Sequence, residues 1–200
     1  MISSILLAAG QSSRMNGENK LTKKINGIPL IKYVIKNILG SAIDELIIVL
    51  GYEKKIVENL IVKNKKIKLV YNSDFKNGLS TSIKTGLHHI SKKSKAFFIC
   101  LGDMPDINQN IYNKLIKSKI KYDKKSKFNY EKKIFIPTCD NIEGNPVLFS
   151  ISMKKEIMKI NGDNGAKNFI ELNRNRVLHV PFKNDCVLTD FDTQENFKSL

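Results

Sequence analysis

Residues 2–20 read ISSILLAAGQSSRMNGENK. The first seven, ISSILLA, carry no charge and have the length and composition of a strand buried on both faces. Ala8, Ala9 and Gly10 then remove the bulk of the side chains, so another group can approach the backbone closely. A polar stretch follows with Ser12, Ser13, Arg14 and Lys20. Free amides and two cations suit a phosphate cradle, and the same residues suit a solvated loop with ordinary surface charges. The stretch matches neither GxxxxGK[ST] nor GxGxxG.

The rest of the chain repeats this opening. ELIIVLG (45–51), IKLVY (67–71) and KAFFICLG (95–102) are further apolar runs of strand length. Helical periodicity fills the gaps. Pro29 suits a first helical turn, Leu30, Ile31, Val34, Ile35, Ile38 and Leu39 form one apolar face, and Gly40 is a C-terminal stop. A short helix is expected near 54–62, one capped by Ser80 over STSIKTGLHHI, and one over 108–121. Apolar strands alternating with helices specify an α/β doubly wound, mostly parallel sheet covered on both faces. IFIPT (134–138), NPVLFS (145–150) and RVLHVPF (176–182) are shorter strands, with helices near 151–159 and 165–173, so the C-terminal half is less regular. No linker or repeat divides residues 1–200, which are expected to form a single domain.

The 200 residues are 42% hydrophobic, enough for a substantial core. No apolar run approaches the roughly 18 residues of a membrane span, and MISSILLAAG lacks the basic start of a signal peptide. The formal charge of +15 comes from lysines scattered through nearly every segment, without interleaved aromatic residues. Even the densest run, KSKIKYDKKSKFNYEKK (117–133), reads as a solvated helix end and loop. No nucleic-acid or membrane partner is therefore expected, although a positive field attracts polyanionic small molecules. Cys100, Cys139 and Cys186 are far apart and form no zinc spacing, which points to a reducing, cytoplasmic setting. His88, His89 and His179 have no placed partner in the sequence and are read as structural.

In such a sheet, ligands sit beyond the carboxyl ends of the strands. One strand ends in Leu101-Gly102-Asp103-Met104-Pro105, which places a carboxylate where it can hold a hard cation or cap the next turn. Leu188-Thr189-Asp190-Phe191-Asp192-Thr193 reads as a second short strand running into carboxylates. Two acidic strand ends and a basic loop are the parts that metal-assisted attack on a triphosphate requires.

LLAAGQSSRMNGENKL resembles the LAAGxSxRMGxxK signature of the MobA-like nucleotidyltransferases, a Rossmann-like, GT-A-like family. The resemblance continues in order to the C-terminus. NSDFKNGLSTSIKTGL is similar to that family's base-side loop, GDMP to its metal motif and GNPVLF to its GHPVLF segment. GDNGAK is similar to GDxGAR, and TDFDTQEN to DIDTPED. Within the family, the set is most like the molybdenum cofactor cytidylyltransferases (MocA-type).

The resemblance implies transfer of CMP from CTP to the phosphate of molybdopterin, with Mg2+ as cofactor and release of pyrophosphate. Leu7, Ala8, Ala9 and Gly10 would lie against the nucleotide, and Arg14 and Lys20 would clamp the triphosphate. Gly78, Ser80 and Ser82 would border base and ribose. Asp103 would be the main metal ligand, Asp190 the second and Asp192 the weaker alternative. Gly144, Asn145 and Asp163 would face the acceptor. Residues 1–105 would form the nucleotide-binding half and 106–200 the acceptor-binding half. Ala9, in place of the glycine of guanylyl-transferring relatives, favours CTP.

The sequence departs from the pattern in three places: Gly17 is shifted one position, Asn145 replaces a histidine, and Gln194 and Asn196 replace a proline and an acid. The second departure bears on the acceptor more than on the chemistry. A sugar-1-phosphate or other small-phosphate nucleotidyltransferase is the nearest enzyme alternative. A non-catalytic chaperone delivering cofactor to a molybdenum hydroxylase partner is the alternative from another class, and intact Arg14, Lys20 and Asp103 count against it.

Overall fold

The uncharged opening run forms β1 (Ile2–Ala8), buried at every position but its first. The computed structural model describes residues 1–12, 18–125, 133–192 and 197. After β1 come a small antiparallel pair, β2 (Lys24–Ile25) and β3 (Ile28–Pro29), then α1 (Leu30–Leu39), β4 (Glu45–Leu50), α2 (Lys54–Asn59) and β5 (Ile67–Tyr71). Then follow α3 (Leu79–His89), β6 (Ala96–Leu101) and α4 (Gln109–Lys125). The second half contributes β7 (Ile134–Cys139), β8 (Ile142–Glu143), β9 (Val147–Ser150), α5 (Lys154–Ile157), α6 (Lys167–Leu172) and β10 (Val177–Pro181).

The main sheet runs β10-β7-β9-β6-β1-β4-β5, with β8 added to β7. β1 pairs in parallel with both β4 and β6, so Leu6 lies between Ile48 and Cys100. β9 is antiparallel to β6 and β7, which makes the sheet mostly rather than wholly parallel. The doubly wound α/β class expected from the sequence is therefore the one observed.

Alternation within strands divides the core between two faces. On one face, Leu6, Leu46, Ile48, Phe98 and Cys100 pack with the apolar stripe of α1 (Leu30, Ile31, Val34) and with Ile111, Tyr112 and Leu115 of α4. On the other, Ile5, Leu7, Ile47, Val49, Phe97 and Ile99 pack with Ile83 and Leu87 of α3. Each fully buried side chain of this size contributes roughly 1.5–3 kcal/mol, which is why strands flanked by helices on both faces show no polar alternation. All three cysteines are buried, and burial pushes the Cys100 thiol up to about 12. Among the described residues, no helix is long and apolar enough to cross a membrane.

Two local expectations are corrected. Ser80 does not cap α3: it lies inside the first turn, and the N-cap position is Gly78. The cap comes instead from a distant segment, where Asp163 Oδ1 accepts a hydrogen bond from the Leu79 amide at 3.2 Å. The segment from Leu188 is not a strand either. The chain makes a single 3-10 turn at Asp185–Val187, and the Leu188 amide closes it on the Asp185 carbonyl at 2.7 Å.

Candidate active site

Connections leave β1 toward β4 on one side, and the chain later returns to place β6 on the other. The carboxyl ends of β1 and β6 therefore flank a crevice. The two ends are tied by the Gly102 amide, which donates to the Leu7 carbonyl at 3.2 Å. The crevice opens into a cleft of about 590 Å³, a volume typical of small-ligand sites.

Leu7, Ala8, Ala9, Gly10, Lys20, Gly78, Ser82 and Asp103 all line this cleft. Sequence positions from 7 to 103 thus converge as the motif reading expects. A Cβ at Gly10 would meet no described atom within 4 Å. The fold itself therefore does not require glycine there, and the open space is the cleft. Gly78 is different: its φ is +98°, and a Cβ would lie 2.7 Å from the Gly162 carbonyl oxygen, so only glycine fits. Ser80 is buried below the cleft, its amide donating to Gly162 O at 3.2 Å. Ser82 is held by the buried Asn72, whose Nδ2 donates to Ser82 Oγ at 3.0 Å and to Thr81 Oγ1 at 2.8 Å.

Lys20 is aimed by its local structure. Asn19 caps the turn Lys20–Thr22, accepting from the Leu21 amide at 3.1 Å, while the Lys20 amide donates to Ser12 Oγ at 3.1 Å. Leu21 is buried and anchors the turn. From there the Lys20 ammonium donates to Asp103 Oδ2 at 2.5 Å and also to Asp192 Oδ1. The last carboxylates are brought in by Phe191, whose amide donates to the Asp103 carbonyl at 2.8 Å. The buried Phe191 ring meets Phe197 edge-on at 5.5 Å.

The electrostatics follow from three carboxylates around one ammonium. Burial lowers the Lys20 pKa, but the charge and hydrogen bonds of Asp103 and Asp192 outweigh it, so the net shift is upward and the group stays charged. Asp190 is raised, first by desolvation and then by the negative charges of Asp103 and Asp192, against the opposing pull of Lys20. Asp103 Oδ1 is buried and has no hydrogen-bond partner among the described residues. An acceptor-only atom in that state, in a locally negative cluster, suits a hard cation. Among the described residues no three His, Cys, Asp or Glu side chains form a ready metal cage. One or two carboxylates completed by phosphate oxygens and water are the arrangement magnesium takes in phosphoryl-transfer sites.

The structure thus joins Asp192, the weaker sequence candidate, to Asp103 through Lys20, while the exposed Asp190 is linked to the pair by charge. Arg14, Gly17, Gln194 and Asn196 lie outside the described residues. Gly144 and Asn145 line a second cavity of about 350 Å³ that shares Leu79 and Leu101 with the first. Asp163, grouped with them in sequence, is instead on the wall of the nucleotide-sized cleft, capping α3. His179 has a partner after all, Glu143 Oε1 at 2.5 Å. Sequence reasoning missed Asn72, Lys76 and Gly162. The first two sit in NSDFKNG, where the run of turn-forming residues before Gly78 was the available signal.

A doubly wound sheet whose switch-point cleft holds small residues, a largely shielded carboxylate and a lysine bridge is an arrangement suited to nucleotidyl transfer. The chain belongs to the MobA-like NTP transferase domain family, whose model matches residues 4–179. It is 25% identical over 197 residues to the molybdenum cofactor cytidylyltransferase of Escherichia coli (strain K12), covering 98% of this chain and 93% of that protein. It is 34% identical over 102 residues to the bifunctional protein GlmU of Acholeplasma laidlawii (strain PG-8A), a match of 50% of this chain and only 22% of that longer relative. The crystal structure of Rv0371c from Mycobacterium tuberculosis H37Rv in complex with manganese has the same fold, with a TM-score of 0.79 and 19% identity over 100% of this chain and 97% of that one.

Proposed function

We propose that the protein transfers CMP from CTP to the phosphate of a molybdopterin-type acceptor and releases pyrophosphate. The observation that carries this reading is the Lys20 bridge between Asp103 and Asp192 at the mouth of the cleft, with Asp103 Oδ1 left unpartnered. The match to a cytidylyltransferase along nearly the whole of both chains supports the choice of nucleotide and acceptor.

In this reading an oxygen of the acceptor phosphate attacks the α-phosphorus. The bond from that phosphorus to the bridging oxygen breaks, and pyrophosphate leaves with that oxygen and its electron pair. No enzyme nucleophile is needed. The stretch from Ala8 to Gly10 on the cleft wall receives the nucleotide, and Gly78 and Ser82 border its sugar and base. Ser80 positions that border through its bond to Gly162. Lys20, with Arg14, meets the charge that builds up on the phosphates as the bond breaks. Asp103, with Asp190 or Asp192, would hold a magnesium ion, which would neutralise phosphate charge. The acceptor body occupies the second cavity beside Gly144 and Asn145, next to the reacting phosphorus.

The test is pyrophosphate release with magnesium, molybdopterin and each of the four NTPs in turn. CTP should support turnover and the others far less. A preference for GTP would overturn the base assignment, and no release with any NTP would overturn the transfer itself.

A further inference from the structure

We propose that Lys20 is the resident counter-ion of the metal site: in the nucleotide-free protein its ammonium occupies the carboxylates a divalent cation needs, so cation and nucleotide bind as a coupled pair. The inference rests on the reading of Asp103 as a metal ligand.

The geometry is specific. One ammonium bonds one oxygen of Asp103 and one of Asp192, and all three groups are largely shielded from water. A divalent cation entering the same cluster would meet a positive charge held by the very groups it must bind. In a shielded site that repulsion is far stronger than in bulk water. Asp103 Oδ1 stays open to the cation. As long as the ammonium holds Asp103 Oδ2 and Asp192 Oδ1, however, its charge opposes binding there, so a cation binds well only once the ammonium has left.

It also has somewhere to go. Lys20 lines the cleft, and Gly10, on the same lining, presents open space rather than a side chain. A lysine is a point charge on a flexible four-carbon stem, so it can swing while its backbone stays fixed. Here the backbone is fixed, by Asn19 and Ser12. Triphosphate oxygens entering the cleft give the ammonium new partners and free the carboxylates. Linkage then requires that each ligand strengthen the other by the same factor. The free protein is thereby kept from holding a metal site without its substrate.

The experiment is a titration with manganese alone, followed by the loss of the free-ion paramagnetic resonance signal, on the full chain without nucleotide. Lys20→Met should bind manganese roughly tenfold more tightly than wild type, the low end of what an adjacent charge does to a neighbouring site's equilibrium. Lys20→Arg, which keeps the cation, should remain close to wild type. Equal or weaker binding by Lys20→Met would overturn the proposal. Asp103→Asn separates the two layers: it should lose manganese binding, and unchanged binding would overturn the metal site itself and the coupling with it. In wild type, where folding is not at issue, trace acylation read by mass spectrometry should label Lys20 several-fold faster with saturating magnesium than with a chelator. Equal labelling would again overturn the proposal.

Discussion

The two cavities that meet at Leu79 and Leu101 are built from different materials. The larger is rich in small residues, with Ala8, Ala9, Gly10, Gly78, Gly102 and Gly162 around it, and its charged groups are Lys20, Lys76, Asp103 and Asp163. The smaller is walled by side chains, the apolar Ile83, Ile136, Val147 and Phe149 together with the polar Glu143, Asn145, Lys167 and Glu171. On the proposed reading, the nucleotide is held by backbone and a few fixed charges, whereas the acceptor is selected by side-chain shape and polarity. A family can keep the first arrangement and change the second, so the chemistry is easier to infer than the acceptor.

Five substitutions test this contrast, in decreasing order of expected effect. Asp103→Ala should lower pyrophosphate release by about three powers of ten or more, since it removes the largely shielded carboxylate proposed to hold the metal. Activity near wild type would place the metal elsewhere. Lys20→Ala should raise the barrier by about 3–4 kcal/mol, seen in kcat more than in KM, because its new contact is strongest in the transition state.

The glycines come next, and they should respond in opposite ways. Gly10→Val should weaken CTP binding by about 1–3 kcal/mol, as overfilling a fitted site does, while leaving the melting temperature unchanged. Gly78→Ala should instead lower stability by about 1–3 kcal/mol, the cost of a strained backbone at φ +98° with a Cβ driven against Gly162. Calorimetry and thermal melts on the two variants distinguish these outcomes, and the same response from both would erase the distinction between ligand space and fold space. The smallest effect belongs to the second cavity. Asn145→His should change the acceptor KM by about tenfold and leave CTP affinity alone, the low end of the roughly 1–3 kcal/mol by which a pocket contact adjusts binding.

The same contrast explains how far the sequence could be read. Strands β1, β4, β5 and β6 fall within about a residue of their expected places because burial on both faces leaves an uninterrupted apolar run. The second half gives weaker signals. β8 has two residues, and the antiparallel direction of β9 depends on its neighbours β6 and β7, not on its own composition. The 188–192 segment looks like a strand because Leu188 and Phe191 are apolar, yet they serve a 3-10 turn and an anchor under Asp103.

At the site, the residues that converge on the cleft were readable because phosphate chemistry calls for small residues, cations and a carboxylate at strand ends. The cap of α3 was not, since Asp163 lies 84 positions from the amide it serves. The pairing of Lys20 with Asp192 as well as Asp103 was equally hidden. It depends on the Phe191 amide reaching the Asp103 carbonyl, a contact no local pattern encodes.

The central claim is nucleotidyl transfer, and the fate of the α-phosphorus tests it most directly. With CTP labelled at that atom, magnesium and molybdopterin, the label should appear in a new product joined to the acceptor, while a label on the γ-phosphorus leaves as pyrophosphate. If the α label stays in CTP, or the γ label is released as inorganic phosphate alone, the protein does not carry out this transfer.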